Sequence, residues 1–330
     1  MLSILGKSWA LTTLSIAQSL IFSFAAYLFA SQLARTRIKK YAYLIFILII
    51  LNPTLSLSSI AVGYESLTAS GFLIAAGLII KDFIEKDNKK FIKYLVINSV
   101  IFGLLTFMQP RLILSGILIN LFWVLIRKGV KVGSLLVIAT LAITLFFPAS
   151  LIYRNHQATG VNAISTNLGV TMNIGAGDKA TGGYMKKDYG VACEQSGTAA
   201  QQDSQKVKCV LDWYLSNPSK AVKLFYNKTL YFFSPWIGPA ANGTMARNPW
   251  LNINPIANIA STPDGNKLVY GGFGKLISWL WLLGGIALII YGFLVLWRLG
   301  SLEKFIALMA MIAVSTNWLV SLISIGDHRF

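Results

Sequence analysis

Long apolar runs separated by short charged connections dominate this chain. Eight runs reach or approach the ~20 mostly apolar residues that cross a bilayer as a helix. They are 11–34, 41–61, 66–83, 91–108, 112–126, 133–153, 273–297 and 305–325. The pattern breaks once, over 154–272, where polar and small residues take over. The expected architecture is an all-α polytopic membrane protein. It has helices one to six in 1–153, a small mixed α/β extracytoplasmic domain in 154–272, and helices seven and eight in 273–330. Inside the polar stretch, Val207, Val210, Leu211 and Tyr214 recur at helical spacing and predict a helix over 204–215. Asn217-Pro218 then reads as an N-cap followed by proline at the first helical position. The helix it opens, 219–233, carries Val222, Phe225, Thr229 and Phe232 on one face and Lys220, Lys223 and Tyr231 on a more polar side. That pattern suits a helix lying in the membrane interface, or one packed on the polar domain.

Composition agrees with a membrane environment: 55% of residues are hydrophobic and only 12% charged. The first run is not read as a signal peptide, because a basic cluster follows it and no small-residue cleavage site does. The net charge of +17 raises the question of nucleic acid, but its placement answers against it. Basic residues gather in alternate connections: Arg35, Arg37, Lys39 and Lys40; Lys81, Lys86, Lys89, Lys90 and Lys93; Arg127, Lys128 and Lys131; Arg298 and Lys304. Cytoplasmic connections carry such an excess. The intervening connections, the stretch 154–272 and both chain ends are then expected outside an inner (cell) membrane crossed many times. The bilayer itself is the first expected partner.

Cys193 and Cys209 both fall in the outer stretch, where a disulfide forms and persists. A disulfide is expected, with two free thiols as the alternative. No histidine accompanies them at metal-ligand spacing, so no metal site is expected there.

Ionisable residues at the outer helix ends are the candidate chemistry. Glu65 opens the third run, Arg111 sits in a tight turn after Gln109-Pro110, Arg154 ends the sixth run, and Asp327-His328-Arg329 follow the eighth. The hairpin arms 91–108 and 112–126 span only ~27 and ~22 Å at 1.5 Å per residue, so Arg111 is expected below the outer surface. A cavity collecting Glu65, Arg111, Arg154 and His328 would suit a phosphate or pyrophosphate. The alternative for each is a helix-end side chain snorkelling to the headgroups. No phosphate-cradling glycine loop, zinc motif or serine-nucleophile elbow occurs.

The segment 147–184 carries Arg154-Asn155, Ser165-Thr166-Asn167, Asn173-Ile174-Gly175 and Ala180-Thr181-Gly182-Gly183-Tyr184 in order. With Asn52-Pro53 and Tyr64-Glu65-Ser66-Leu67 before it, and Asn217-Pro218 and Gly326-Asp327-His328-Arg329-Phe330 after it, this order resembles the GT-C superfamily of polytopic glycosyltransferases. The closest likeness is to the family 39 branch of protein mannosyltransferases, aminoarabinose transferases and Rgt-like enzymes. Gln109-Pro110-Arg111 reverses that family's Arg-Pro order. The resemblance implies transfer of a sugar from a polyprenyl-phosphate donor to a lipid, glycan or protein acceptor outside the membrane. It implies binding roles toward substrate or phosphate for Glu65, Arg111, Arg154, Asn155, Asn167, His328 and Arg329. The family's catalytic acid lies in a first outer loop that has no counterpart here, so the chain is expected to lack that acid and to be a fragment or a shortened member. No cofactor is required, although a divalent cation is compatible with the chemistry. An O-antigen ligase or polymerase-like enzyme, a transporter of lipid-linked glycans and a non-catalytic membrane partner are the alternatives.

Overall fold

The computed structural model describes residues 6–60, 64–165, 167–183, 190–233 and 262–326. Thr166, Tyr184, Asp327, His328, Arg329 and Phe330 lie outside them. Along the chain come α1 (Lys7–Leu33), α2 (Ala42–Ile50), α3 (Pro53–Ile60), α4 (Glu65–Glu85), α5 (Asn88–Met108), α6 (Ile113–Thr159) and α7 (Leu168–Ile174). After these come α8 (Ala199–Ser216), α9 (Pro218–Phe232), α10 (Pro263–Tyr270), α11 (Gly272–Trp297) and α12 (Ser301–Ile323). No strand occurs among the described residues, so the expected mixed α/β character of 154–272 does not appear there. Among the described residues six helical stretches are long and apolar enough to cross a membrane: Trp9–Leu33, Glu65–Glu85, Asn88–Met108, Pro110–Thr159, Pro263–Trp297 and Ser301–Ile323.

Two expected runs take a different form. The run 41–61 is two short helices, α2 and α3, rather than one. Pro53 has no N–H to continue the ladder. Asn52 turns its Oδ1 to the Leu55 N–H at 3.1 Å and caps α3, while the Ser56 hydroxyl donates back to the Ile50 carbonyl. The runs 112–126 and 133–153 are assigned to the single helix α6, but Gly129 inside it has φ 67° and ψ 179°. Glycine reaches that left-handed conformation without a Cβ clash. The helical path therefore breaks within the basic connection 127–131.

The chain divides into two compact units. The first comprises 1–101 and 235–309. In it α1 lies against α4, where a Cβ on Gly77 would come within 2.7 Å of Leu28 Cδ2. Ser15 and Ser19 donate to the Ile60 and Ser59 carbonyls of α3 at 3.0 and 3.2 Å. Small and hydroxylated residues serve helix contacts in lipid, where apolar side chains gain nothing by leaving hydrocarbon for each other. At one end Leu33, Ile38, Ala42 and Ile80 form a core with Leu296, Leu299 and Leu302. The buried Glu303 accepts from the Gly300 and Arg37 N–H groups, capping α12 and pinning the first basic connection. Helix α11 leaves Phe273, Trp279, Leu280, Trp281 and Leu288 more than half exposed. An apolar helix with so little protein cover is dressed for lipid.

The second unit comprises 102–234 and 310–330. The α6 hydroxyl of Ser115 meets Thr316 of α12 at 2.5 Å. Beyond the apolar part, Met172, Ala176 and Val210 make a small core with Val191, Val207 and Tyr214. Helix α8 starts five residues before the expected 204. Thr198 and Gln201 form a reciprocal capping box that the sequence reading passed over. Cys193 and Cys209 are joined by a disulfide with Cα atoms 6.0 Å apart. Closing a loop of this length contributes about 3 kcal/mol by restricting the unfolded chain. Cys193→Ser together with Cys209→Ser is therefore expected to lower the melting temperature in detergent, and reductant is expected to do the same to the native chain. Identical melting of oxidised and reduced protein would contradict this.

Candidate functional site

Three candidate residues of the second unit, Arg154, Asn155 and Asn167, stand at the end of α6 and the start of α7. Helix α6 ends at Gly160, whose φ of 72° stops it after one more turn past Arg154-Asn155. Asn155 is buried, and its Nδ2 donates to the Ala163 and Ile164 carbonyls at 2.8 and 3.2 Å. Its Oδ1 accepts from Arg154 Nη2 at 2.9 Å and Nε at 3.3 Å. Asn155 thus staples the returning chain to the helix and orients the exposed guanidinium of Arg154. Asn167 sits at the start of α7, exposed, with its carbonyl accepting from the Thr171 hydroxyl at 2.9 Å. The cap of α7 comes from α8: the buried Asp203 carboxylate accepts the Val170 N–H at 2.9 Å, a negative charge at a helix N-terminus.

Four stretches then meet in one seam. A Cβ on Gly175 would collide with the Ser324 carbonyl oxygen just past α12. The Gly182 carbonyl accepts the Gly326 N–H at 2.9 Å. A Cβ on Gly182 would fall 2.8 Å from the Asn227 carbonyl carbon of α9, and one on Gly183 would fall 2.7 Å from the Tyr231 ring. Gly182 also holds φ at 104°, a value side chains resist. Glycine is required in this seam because backbone touches backbone.

Lys228 lies at the centre of the seam, fully buried. Its Nζ donates to the Tyr214 hydroxyl at 2.8 Å, the Leu322 carbonyl at 2.8 Å and the Ser324 carbonyl at 2.6 Å. Tyr214 in turn donates to the Ile323 carbonyl at 3.3 Å. The last carbonyls of a helix have no partner within it. Here a lysine and a tyrosine from α8 and α9 satisfy those of α12. Loss of water pulls Lys228 down to about 7 and pushes the Tyr214 phenol up. The carbonyls opposite favour the ammonium, which alone can donate to all three acceptors.

The expected helix 219–233 appears as α9, with Pro218 at its first position. Asn217 does not cap it through its side chain; its Nδ2 turns back to the Trp213 carbonyl at 3.0 Å and closes α8 instead. The buried face is Ala221, Leu224 and Lys228, not the expected one. Val222, Tyr226, Leu230 and Phe233 form an exposed stripe at spacings of four, four and three. Sequence reasoning missed Lys228, although its place seven residues after Ala221 on the buried face was a usable signal.

Of the other expected site residues, Arg111 is half-buried in the short turn Pro110–Leu112, with Nε and Nη1 closed off from solvent. Glu65 belongs to the first unit, exposed in the opening turn of α4, where a carboxylate complements the helix dipole. His328 and Arg329 lie outside the described residues. Among the described residues no group of three or more His, Cys, Asp or Glu side chains could hold a metal ion. Compared with known proteins, the chain matches no family model, no curated protein and no solved structure.

Proposed function

We propose that this chain is an integral membrane glycosyltransferase of GT-C type, moving a sugar from a polyprenyl-phosphate donor to a lipid, glycan or protein acceptor on the extracytoplasmic face. The observation that carries the reading is the glycine seam. Gly175, Thr181-Gly182-Gly183, the helix after Asn217-Pro218, and Gly326 are far apart in sequence, yet they close on one another in a single polar knot. These are four of the stretches on which the resemblance rests. An ordered set of weak motifs that also converges in space is better explained by one site than by chance spacing.

On this reading the two arms of α6 cross separately and α2–α3 forms one broken crossing, giving eight crossings. The basic connections face the cytoplasm and 154–272 faces out. Departure of a polyprenyl phosphate develops negative charge that fixed cations stabilise. Arg154, held by Asn155, and Arg111, His328 and Arg329 supply them; Glu65, at the opening of α4, binds a sugar hydroxyl. The acceptor is deprotonated by a carboxylate that this reading assigns to no residue of the chain.

The test is transfer of radiolabelled sugar from a polyprenyl-phosphate donor in membranes of the native host, which hold whatever supplies that carboxylate. Arg154→Ala and Glu65→Ala are each expected to lower turnover about 10²-fold, the usual cost of losing one transition-state charge partner. Turnover equal to wild type in both variants refutes the reading.

A further inference from the structure

A cavity of about 310 Å³ opens in the second unit, between α7, α8 and the irregular stretch 190–195. It is lined by Val170, Asn173, Val191, Cys193, Gln195 and Lys206, with the Gly190 and Ala192 backbone. None of these residues belongs to the glycine seam or to the sites of Arg154 and Arg111. Its walls are built. Asn173 Nδ2 donates to the Val191 carbonyl at 3.1 Å, the disulfide ties Cys193 to α8, and the Ser196 N–H donates to Gln205 Oε1 at 2.9 Å.

The chemistry of the cavity is set by Lys206. Its side chain is drawn in by the close crossing of α7 over α8, where a Cβ on Gly169 would collide with the Asp203 carbonyl and lie 2.9 Å from Lys206 Cβ. Lys206 keeps only 9% of its surface exposed, and among the described residues no acidic side chain pairs with it. The nearest acid along its helix, Asp203, is committed to the Val170 N–H. The Lys206 Nζ is not closed off from solvent, so the ammonium is open to an anion that enters the cavity. The volume exceeds what a bare oxyanion fills and falls at the lower end of small-molecule sites. Gln195 gives its Nε2 to the Cys193 carbonyl at 3.3 Å, which leaves its Oε1 as an acceptor for a hydroxyl.

We propose that this cavity is a binding site for a small hydroxylated anion, with its negative group on Lys206 and a hydroxyl on Gln195. A uronate and a sugar phosphate share that chemistry. The site does not depend on the sugar-transfer reading, and its test measures binding alone.

The full chain, oxidised and in detergent micelles, is titrated calorimetrically with sodium glucuronate, glucose 6-phosphate, glucose and inorganic phosphate. At least one of the two sugar anions is expected to bind about tenfold or more tightly than glucose and than inorganic phosphate. Glucuronate alone identifies a carboxylate ligand; glucose 6-phosphate alone identifies a phosphate ligand. Lys206→Gln is expected to abolish that preference and Lys206→Arg to keep it. Lys208→Gln, an exposed neighbour on the same helix, is expected to change nothing. A melting curve for each variant separates misfolding from lost binding, and Gln195→Ala, at an exposed position, reports on the cavity if Lys206→Gln fails to fold. Glucose or inorganic phosphate binding as tightly as both sugar anions overturns the proposal. So does a folded Lys206→Gln protein, or a Gln195→Ala protein, that binds them like wild type.

Discussion

Alanine at position 175 is expected to cost about 3 kcal/mol or more of stability, at the upper end of what one added methyl imposes on a packed site. The methyl would occupy the place of the Ser324 carbonyl oxygen. The obstacle is backbone, so no rotamer change relieves it. Ser324 would have to move, and its carbonyl is also an acceptor of Lys228, so one clash breaks a second interaction. Gly284→Ala is the matching control. Nothing lies within 4 Å of a Cβ there, and alanine is the better helix former in α11. Thermal unfolding in detergent reads the difference: a large fall for Gly175→Ala, and none or a small rise for Gly284→Ala. Equal melting of the two variants contradicts the close packing of 175 on 324.

Removal of Lys228 is expected to be comparably severe and, unlike the glycine change, to depend on pH. Lys228→Ala strands the Tyr214 hydroxyl and the Leu322 and Ser324 carbonyls in a dry site, each orphan costing about 1–3 kcal/mol. Lys228→Met fills the space but supplies no donor. In the folded chain Lys228 releases its proton near 7, against an ordinary value of 10.5 in the unfolded chain. Between those values the unfolded chain holds more protons, so native stability rises with pH across that window. Below it the lysine is charged in both states and the full cost of burying the charge is present. Tyr214, raised by the same burial, stays protonated through the window. The deficit of Lys228→Met relative to wild type should therefore widen as pH climbs from about 7 toward 10.5. A constant deficit would show that Lys228 keeps its proton throughout, with the α12 carbonyls outweighing desolvation.

Much of the candidate site was readable from residue order, but its division of labour was not. Arg154-Asn155 stood out as a polar pair at a helix exit. That Asn155 is a staple, with both faces of its amide committed to Arg154 and to residues 163–164, depends on where the chain returns after Gly160. Asn217 looked like a cap for the helix that follows and serves the helix that precedes it: its Nδ2 joins its own backbone N–H on the Trp213 carbonyl. Lys206 and Lys228 drew no reading from the sequence. Helical spacing puts Lys228 on one face with Ala221 and Leu224, but what covers both lysines comes from residues about 40 to 100 positions away.

The sequence by itself determined the helical, membrane-bound character of the chain. Apolar run length and the absence of charge within the runs are local properties, and in hydrocarbon the backbone must satisfy itself within each helix. It also determined where helices stop, through Pro53, Gly129 and Gly160, because these residues act on their own dihedrals. Only the tertiary structure decided which glycines are indispensable and which lysines are buried. Gly175 and Gly182 stand in the polar stretch and Gly284 in an apolar run, but residue order does not say that only the first two have a foreign backbone where a side chain would go. Close approach and desolvation are properties of what lies across the gap, and that is set by the fold as a whole.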